Sequence, residues 1–256
     1  MDMGKYGPWA LIVGGSEGIG ASFARQLAAD GFSLAVVARK PGPLEELAQE
    51  LRAAGTDVRV LSVDLSQPGA VDVVRELTDD IEVGLLIYNA GANSVRGNFV
   101  DLDPEVYRSV IAVNVVGQAE FVHHYGAPMC RRGRGGIILC GSTASYIGSP
   151  SLAAYTASKA FSRIFSESLW AECRAFGVDV LHLNVGFTAT PAMARLGYTL
   201  DAAQAPEEVA AEGLAHLADG PVWIVGGPQN VELAVQRSTV ANRADAVLRF
   251  ATPPRS

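Results

Sequence analysis

Short apolar runs and amphipathic stretches alternate along this chain from one end to the other. The runs Trp9 to Val13, Ser33 to Val37, Val58 to Val63, Val83 to Ile87, Ile137 to Cys140, Val178 to Asn184 and Val222 to Val225 are nearly continuous in apolar residues. That pattern marks strands covered on both faces rather than on one. Between them, Ala21 to Ala29, Leu44 to Ala54, Ala70 to Leu77, Asp103 to Met129, Tyr155 to Phe176 and Pro206 to Leu217 read as helices. Gly55 closes the second of these, and Asp103 with Pro104 forms a cap and first-turn signal for the fourth. Val231 to Phe250 reads as partly helical, and the end, with Pro253 and Pro254, as frayed. Strand–helix alternation of this kind predicts an α/β fold with a seven-stranded parallel sheet and helices on both faces. With no repeat or linker, one domain is expected over 1–256, its core at about 9–227 and a C-terminal extension at 228–256.

Composition narrows the partners. A net charge of −7 argues against nucleic acid or an anionic membrane surface. The cluster Arg131, Arg132 and Arg134 follows a helical stretch and fits the negative end of a helix dipole. Cys130, Cys140 and Cys173 are far apart in sequence without metal-ligand spacing, so reduced thiols are expected and no metal site. His123 and His124 point about 100° apart on a helix and read as packing or interface residues. No signal peptide or membrane-length apolar run is visible, so a cytoplasmic protein is expected.

The chemistry begins after the first strand. Gly14, Ser16, Glu17, Gly18, Ile19 and Gly20 form a glycine-rich turn between a strand and a helix. Such a turn lets backbone approach a pyrophosphate, with helix N–H groups aimed at it. The second strand runs into Ala38 and Arg39 with no acid at this turn, so NADP(H) is preferred and NAD(H) is the other possibility. A solvated loop arginine is the alternative for Arg39. Lys40 could assist, and the charge of Glu17 counts mildly against a phosphate. Asp64, Leu65, Asn89, Ala90 and Gly91 stand at strand carboxyl ends, where ligands bind in such sheets, although Asp64 could cap a helix and Asn89 could hold a turn.

Tyr155 and Lys159 are four apart, on one face of a helix. A phenol titrates near pH 10, and a cation beside it lowers that value, so the pair suits a tuned acid/base. The pair alone is a common surface motif. Ser142, just after a strand, adds a hydroxyl able to steady a reacting oxygen. Asn114 lies beside Val113, Val115 and Gly117 inside a helical stretch, where it predicts a local distortion or a polar task.

Taken in order, these motifs resemble those of the short-chain dehydrogenase/reductase family, from roughly Trp9 to Gly227. The family's T-G-x-x-x-G-x-G reads Val13 to Gly20, its N-N-A-G reads Tyr88 to Gly91, its Y-x-x-x-K is Tyr155 to Lys159, and its P-G-x-x-x-T reads Val185 to Thr190. Val13, Tyr88 and Val185 depart from the pattern. The resemblance implies a Rossmann fold and an oxidoreductase acting on CH–OH groups with NAD(P). It implies Tyr155 as acid/base, Lys159 holding the nicotinamide ribose and lowering the Tyr155 pKa, Ser142 on the substrate oxygen and Asn114 holding a water. Val185, Gly186, Thr188 and Thr190 would face the nicotinamide. It also implies a homodimer or homotetramer through the two long helices, where Phe161, Phe165, Leu169 and Trp170 exceed what one buried face needs.

The substrate side is read from Tyr146, Phe187, Met193, Leu196 and Tyr198, with Asn93, Ser94 and Ile147 at its border. Arg96 and Arg195 are only near in sequence, so the expected substrate is an uncharged hydrophobic ketone or secondary alcohol, steroid-like or aromatic. The segment Pro191 to Ala205 predicts a small lid. A 3-oxoacyl-thioester reductase is the alternative, disfavoured by the length of chain after Gly227. A non-catalytic nucleotide sensor is the third reading, disfavoured because Asn114, Ser142, Tyr155 and Lys159 are all present.

Overall fold

The computed structural model describes residues 1–92, 96–201, 203–239 and 241–250. Seven parallel strands, β1 (Trp9–Val13), β2 (Ser33–Ala38), β3 (Val58–Ser62), β4 (Val83–Tyr88), β5 (Gly135–Cys140), β6 (Val178–Asn184) and β7 (Val222–Ile224), form one sheet in the order β3-β2-β1-β4-β5-β6-β7. The helices are α1 (Met3–Tyr6), α2 (Gly18–Ala29), α3 (Pro41–Ala53), α4 (Ala70–Thr78), α5 (Pro104–Ile111), α6 (Gln118–Arg132), α7 (Ala153–Cys173), α8 (Pro191–Arg195), α9 (Pro206–Ala215), α10 (Pro228–Ser238) and α11 (Arg243–Phe250).

The strands read from apolar runs fall where expected: β1, β2, β4, β5 and β6 are buried almost throughout, whereas the edge strands β3 and β7 are largely half-buried. In β1, Ala10 and Ile12 face one core cluster, while Leu11 and Val13 face the other. The first cluster takes Phe23 and Leu27 from α2, Leu44 and Leu47 from α3 and Val209 from α9; the second takes Val74 from α4, Phe121 and Tyr125 from α6 and Cys173 from α7. Each such Leu, Ile or Phe, fully covered, contributes about 1.5–3 kcal/mol relative to exposure.

Four differences from the sequence reading matter. The helix after the glycine turn starts at Gly18, so the turn is itself the helix N-terminus. The long helical region beginning at Asp103 is interrupted by a π-turn over Ala112–Gly117. The extension, read as partly helical, forms α10 and α11 and also holds the loop after Ser142, through Arg237 of α10, which donates to the Thr143 carbonyl, and Arg243 at the start of α11, which donates to the Tyr146 carbonyl at 2.7 Å. Cys130 and Cys173, 43 residues apart in sequence, meet thiol to thiol between α6 and α7 and stay free. The arginine cluster ends α6 as expected, with Gly133 in the left-handed region and Arg132 donating to the Val83 carbonyl at 2.5 Å.

β1 is paired on one side with β2 and on the other with β4, so the strand order reverses at its carboxyl end. That reversal opens a crevice between the loops after β1 and β4. The glycine turn and Asn89 to Gly91 both lie there. Among the described residues, no helix is long and apolar enough to cross a membrane.

Candidate active site

The crevice is built for close backbone approach. A methyl on Gly14 would come within 2.6 Å of the Ala90 nitrogen, and one on Gly20 within 2.1 Å of the Gly14 carbonyl. Gly14 and Gly18 have positive φ, 87° and 56°. Asn89 spends its side-chain amide on the Gly14 carbonyl at 2.7 Å, so it locks the turn instead of pointing to a ligand. The first turn of α2 has no side-chain cap, which leaves its N–H groups available to an anion. These features fit a dinucleotide pyrophosphate.

Arg39 is exposed at the end of β2, and its charge acts on Asp64. Asp64 is engaged with Ser66, accepting from its N–H at 3.0 Å and its hydroxyl at 2.8 Å, which holds the carboxyl below its usual range; Leu65 packs against the core. Glu17 is clamped between Lys40 at 3.2 Å and Arg195, whose Nη1 is 3.0 Å away. The hydrogen bond from Arg195 is the main cause of its lowered pKa. The charge counted against a phosphate is therefore neutralised by two cations the sequence did not pair with it. Ser16 and Ile19 are half-buried in the turn, and Thr190 packs against Gly18 and caps α8. Val185 is buried and its carbonyl accepts from the Thr143 N–H at 3.0 Å; the Thr188 hydroxyl donates to the Gly186 carbonyl at 3.4 Å.

Ser142, Tyr155, Lys159 and Asn114 converge at the carboxyl ends of β4 and β5. The Ser142 hydroxyl, which accepts from the Ala144 N–H at 3.1 Å, stands near enough to the Tyr155 phenol to favour its ionised form. The Lys159 ammonium donates to the Cys140 carbonyl at 2.9 Å and lies 5.9 Å from the centre of the Tyr155 ring. Gly91 lies alongside it: a methyl there would be in ordinary contact with Nζ, at 3.6 Å. Asn114 accepts from the Ala92 N–H at 2.8 Å, donates to the Ala92 carbonyl at 3.2 Å, and donates to the Ser158 hydroxyl at 3.0 Å. The polar task expected of Asn114 and the distortion around it are both present.

One expectation is overturned. Lys159 does not bring the Tyr155 pKa down here. Burial raises it above the ordinary value, and the opposing influences come from Ser142 and Arg96. Burial also lowers the Lys159 pKa. Removing both groups from water outweighs the attraction between an ammonium and a phenolate.

The substrate residues divide. Phe187 and Tyr198 meet edge to face at 5.7 Å, with Met193 and Leu196 half-buried in the same segment. Arg96, read as merely near in sequence, stacks on the Tyr198 ring at 5.3 Å, so a cation does stand on this face. Tyr146 lines a separate cavity of about 360 Å³ with Ile224 and α10, whereas Tyr155 borders a small cleft with Phe99, Leu102, Tyr107 and Leu152. Ile147 is buried and is packing. Asn93 and Ser94 lie outside the described residues.

Sequence reasoning missed His182. It is fully buried on β6, packed against Gly141, and among the described residues neither ring nitrogen has a hydrogen-bond partner. Burial, aided by Lys159, lowers its pKa to about 3. The signal was available: His182 and Asn184 are two apart in an apolar strand, and Asn184 donates to the Ser142 carbonyl at 3.2 Å on that face.

Comparisons with known proteins identify the family. The family model for short chain dehydrogenase matches residues 8–200. The chain belongs to that family. It is an oxidoreductase acting on CH–OH groups with NAD(P). A 7beta-hydroxysteroid dehydrogenase from Collinsella aerofaciens is 36% identical over 190 residues, covering 74% of this chain and 72% of that protein. A very-long-chain 3-oxoacyl-CoA reductase from Podospora anserina is 36% identical over 201 residues, 77% of this chain but 59% of the reductase. A solved 7beta-hydroxysteroid dehydrogenase structure superposes with a TM-score of 0.90 at 30% identity, covering 97% of this chain and 98% of that one.

His182 predicts a pH dependence. The unfolded chain takes up a proton at this residue below about pH 6.5, and the folded protein does so only near pH 3, so stability falls as pH drops through that window. At pH 5 the loss attributable to His182 is roughly 2 kcal/mol. Denaturant titration at pH 7.5 and pH 5 should show a smaller drop for His182→Asn than for the wild type.

Proposed function

We propose that the protein is an NADP(H)-dependent oxidoreductase of hydrophobic ketones and secondary alcohols of steroid size, with Tyr155 as the acid/base. The observation that carries this reading is the convergence of Ser142, Tyr155, Lys159 and Asn114 beside an uncapped α2 N-terminus. The similarity to hydroxysteroid dehydrogenases supports the substrate class, and the aromatic face of Phe187 and Tyr198 suits it.

A nicotinamide cofactor, when bound, would supply the hydride chemistry. The protein's own residues do the rest. Gly14, Ser16, Gly18, Ile19 and Gly20 would receive the pyrophosphate, and Arg39, exposed at the end of β2, would take the 2′-phosphate. Ala90, Gly91, Val185, Gly186, Thr188 and Thr190 would border the nicotinamide end, and Lys159 would hold its ribose. Tyr155, neutral because burial holds its pKa up, donates its phenolic proton to the substrate oxygen during reduction. Ser142 hydrogen-bonds the same oxygen. Asn114, anchored on Ala92 and Ser158, fixes the turn that carries Tyr155 and Lys159.

A 3-oxoacyl-thioester reductase is the second reading. The Podospora relative favours it, and Arg96 offers a cation to an acidic end group. We further propose one domain over 1–256, a cytoplasmic setting, and a homodimer or homotetramer that covers the exposed Ile111, Val116, Phe161 and Ile164 of the two long helical regions.

Tyr155→Phe should leave NADPH binding within about twofold by nicotinamide fluorescence and lower kcat by about 10²-fold or more. Turnover near the wild-type rate would remove Tyr155 from the role given to it. Arg39→Asp should raise the NADPH KM at least about tenfold and shift preference toward NADH, read from initial rates with both cofactors.

A further inference from the structure

Tyr88 ends β4, immediately before Asn89, at a position where the resemblance expects asparagine. Its ring is fully buried and meets Phe121 of α6 edge to face at 5.6 Å. Its hydroxyl crosses from the sheet to the helix layer and donates to the Val113 carbonyl at 2.6 Å. That carbonyl belongs to the π-turn over Ala112–Gly117, one residue before Asn114. A turn widened by one residue takes backbone groups off the regular helical ladder, and a buried carbonyl without a partner is costly. Gly117 fits the same arrangement: a methyl there would lie 2.8 Å from the Tyr88 hydroxyl oxygen.

We propose that Tyr88 is a positioning residue for the reaction. Its hydroxyl pins the π-turn through Val113, and the pinned turn aims the Asn114 amide at Ala92 and Ser158. Ser158 in turn donates to the Tyr155 carbonyl at 2.7 Å, so the chain of contacts runs from the sheet to the acid/base helix. The departure from asparagine at this position is thereby a working part of the site. The proposal rests on the reading that Asn114, Tyr155 and Lys159 carry the reaction.

The test is a double-mutant cycle between Tyr88→Phe and Asn114→Ala, read as kcat and KM with NADPH and a 7-oxosteroid, beside amide hydrogen exchange over residues 112–118. Tyr88→Phe keeps the ring against Phe121 and removes only the hydroxyl. It should lower kcat on the order of tenfold, leave both KM values within about twofold, and speed exchange in the π-turn. On the Asn114→Ala background it should add little. Wild-type kcat for Tyr88→Phe while Asn114→Ala is impaired would overturn the proposal alone, as would losses that multiply independently. Wild-type kcat for Asn114→Ala would overturn the catalytic reading and the proposal together. If Tyr88→Phe does not fold, Gly117→Ala, whose methyl displaces the same hydroxyl, takes its place in the cycle. A loss of kcat that adds little to Asn114→Ala then supports the proposal, and wild-type kcat or an independent loss overturns it.

Discussion

Keeping the Lys159 ammonium out of water is the constraint on which the rest of the site depends. The side chain is 7% exposed, at the carboxyl end of the central strands. An isolated ammonium there would cost several kcal/mol, so the surroundings must supply acceptors. The Cys140 carbonyl at the end of β5 supplies one acceptor. The same removal from water keeps Tyr155 a neutral phenol, pushes the Cys140 thiol up to about 12, and holds His182 uncharged. One physical cause therefore acts on the whole region: burial favours the neutral phenol, thiol and imidazole, and it also lowers the Lys159 pKa. The phenol is ready to give its proton when a substrate oxygen develops negative charge.

The fold places this region by topology. Strand order reverses at β1, which opens the crevice between the loops after β1 and β4. Glycines line that crevice because neighbouring backbone lies where a Cβ would stand. Lys159 and Asn114 come from helical segments on one face of the sheet. Ser142 comes from the end of the central β5, so its position follows from the sheet register, not from local sequence.

The five inner strands are legible in the sequence because two-sided burial writes a continuous apolar run, the half-buried edge strands β3 and β7 because they keep most of that run, and the glycine turn and the Tyr155–Lys159 pair because their spacing is local. What escapes depends on contacts between distant residues. The pairing of Glu17 with Arg195, the stacking of Arg96 on Tyr198 and the meeting of Cys130 with Cys173 have no signature in sequence. Ile147 is misplaced by a sequence reading because burial in a loop follows no period. The direction of the Tyr155 shift is misjudged because a pair of residues shows the attraction between charges but not the depth at which they are buried. Tyr88 counts in the sequence only as a departure, since its partner lies one layer away.

The most direct test of the account compares kcat/KM for NADPH and NADH oxidation with a 7-oxosteroid and with a long-chain 3-oxoacyl-CoA. The account predicts that NADPH with the steroid exceeds every other pairing by at least about tenfold, a difference of roughly 1.4 kcal/mol in transition-state binding. Equal rates with NADH would contradict the role given to Arg39, and turnover of the thioester alone would contradict the substrate class.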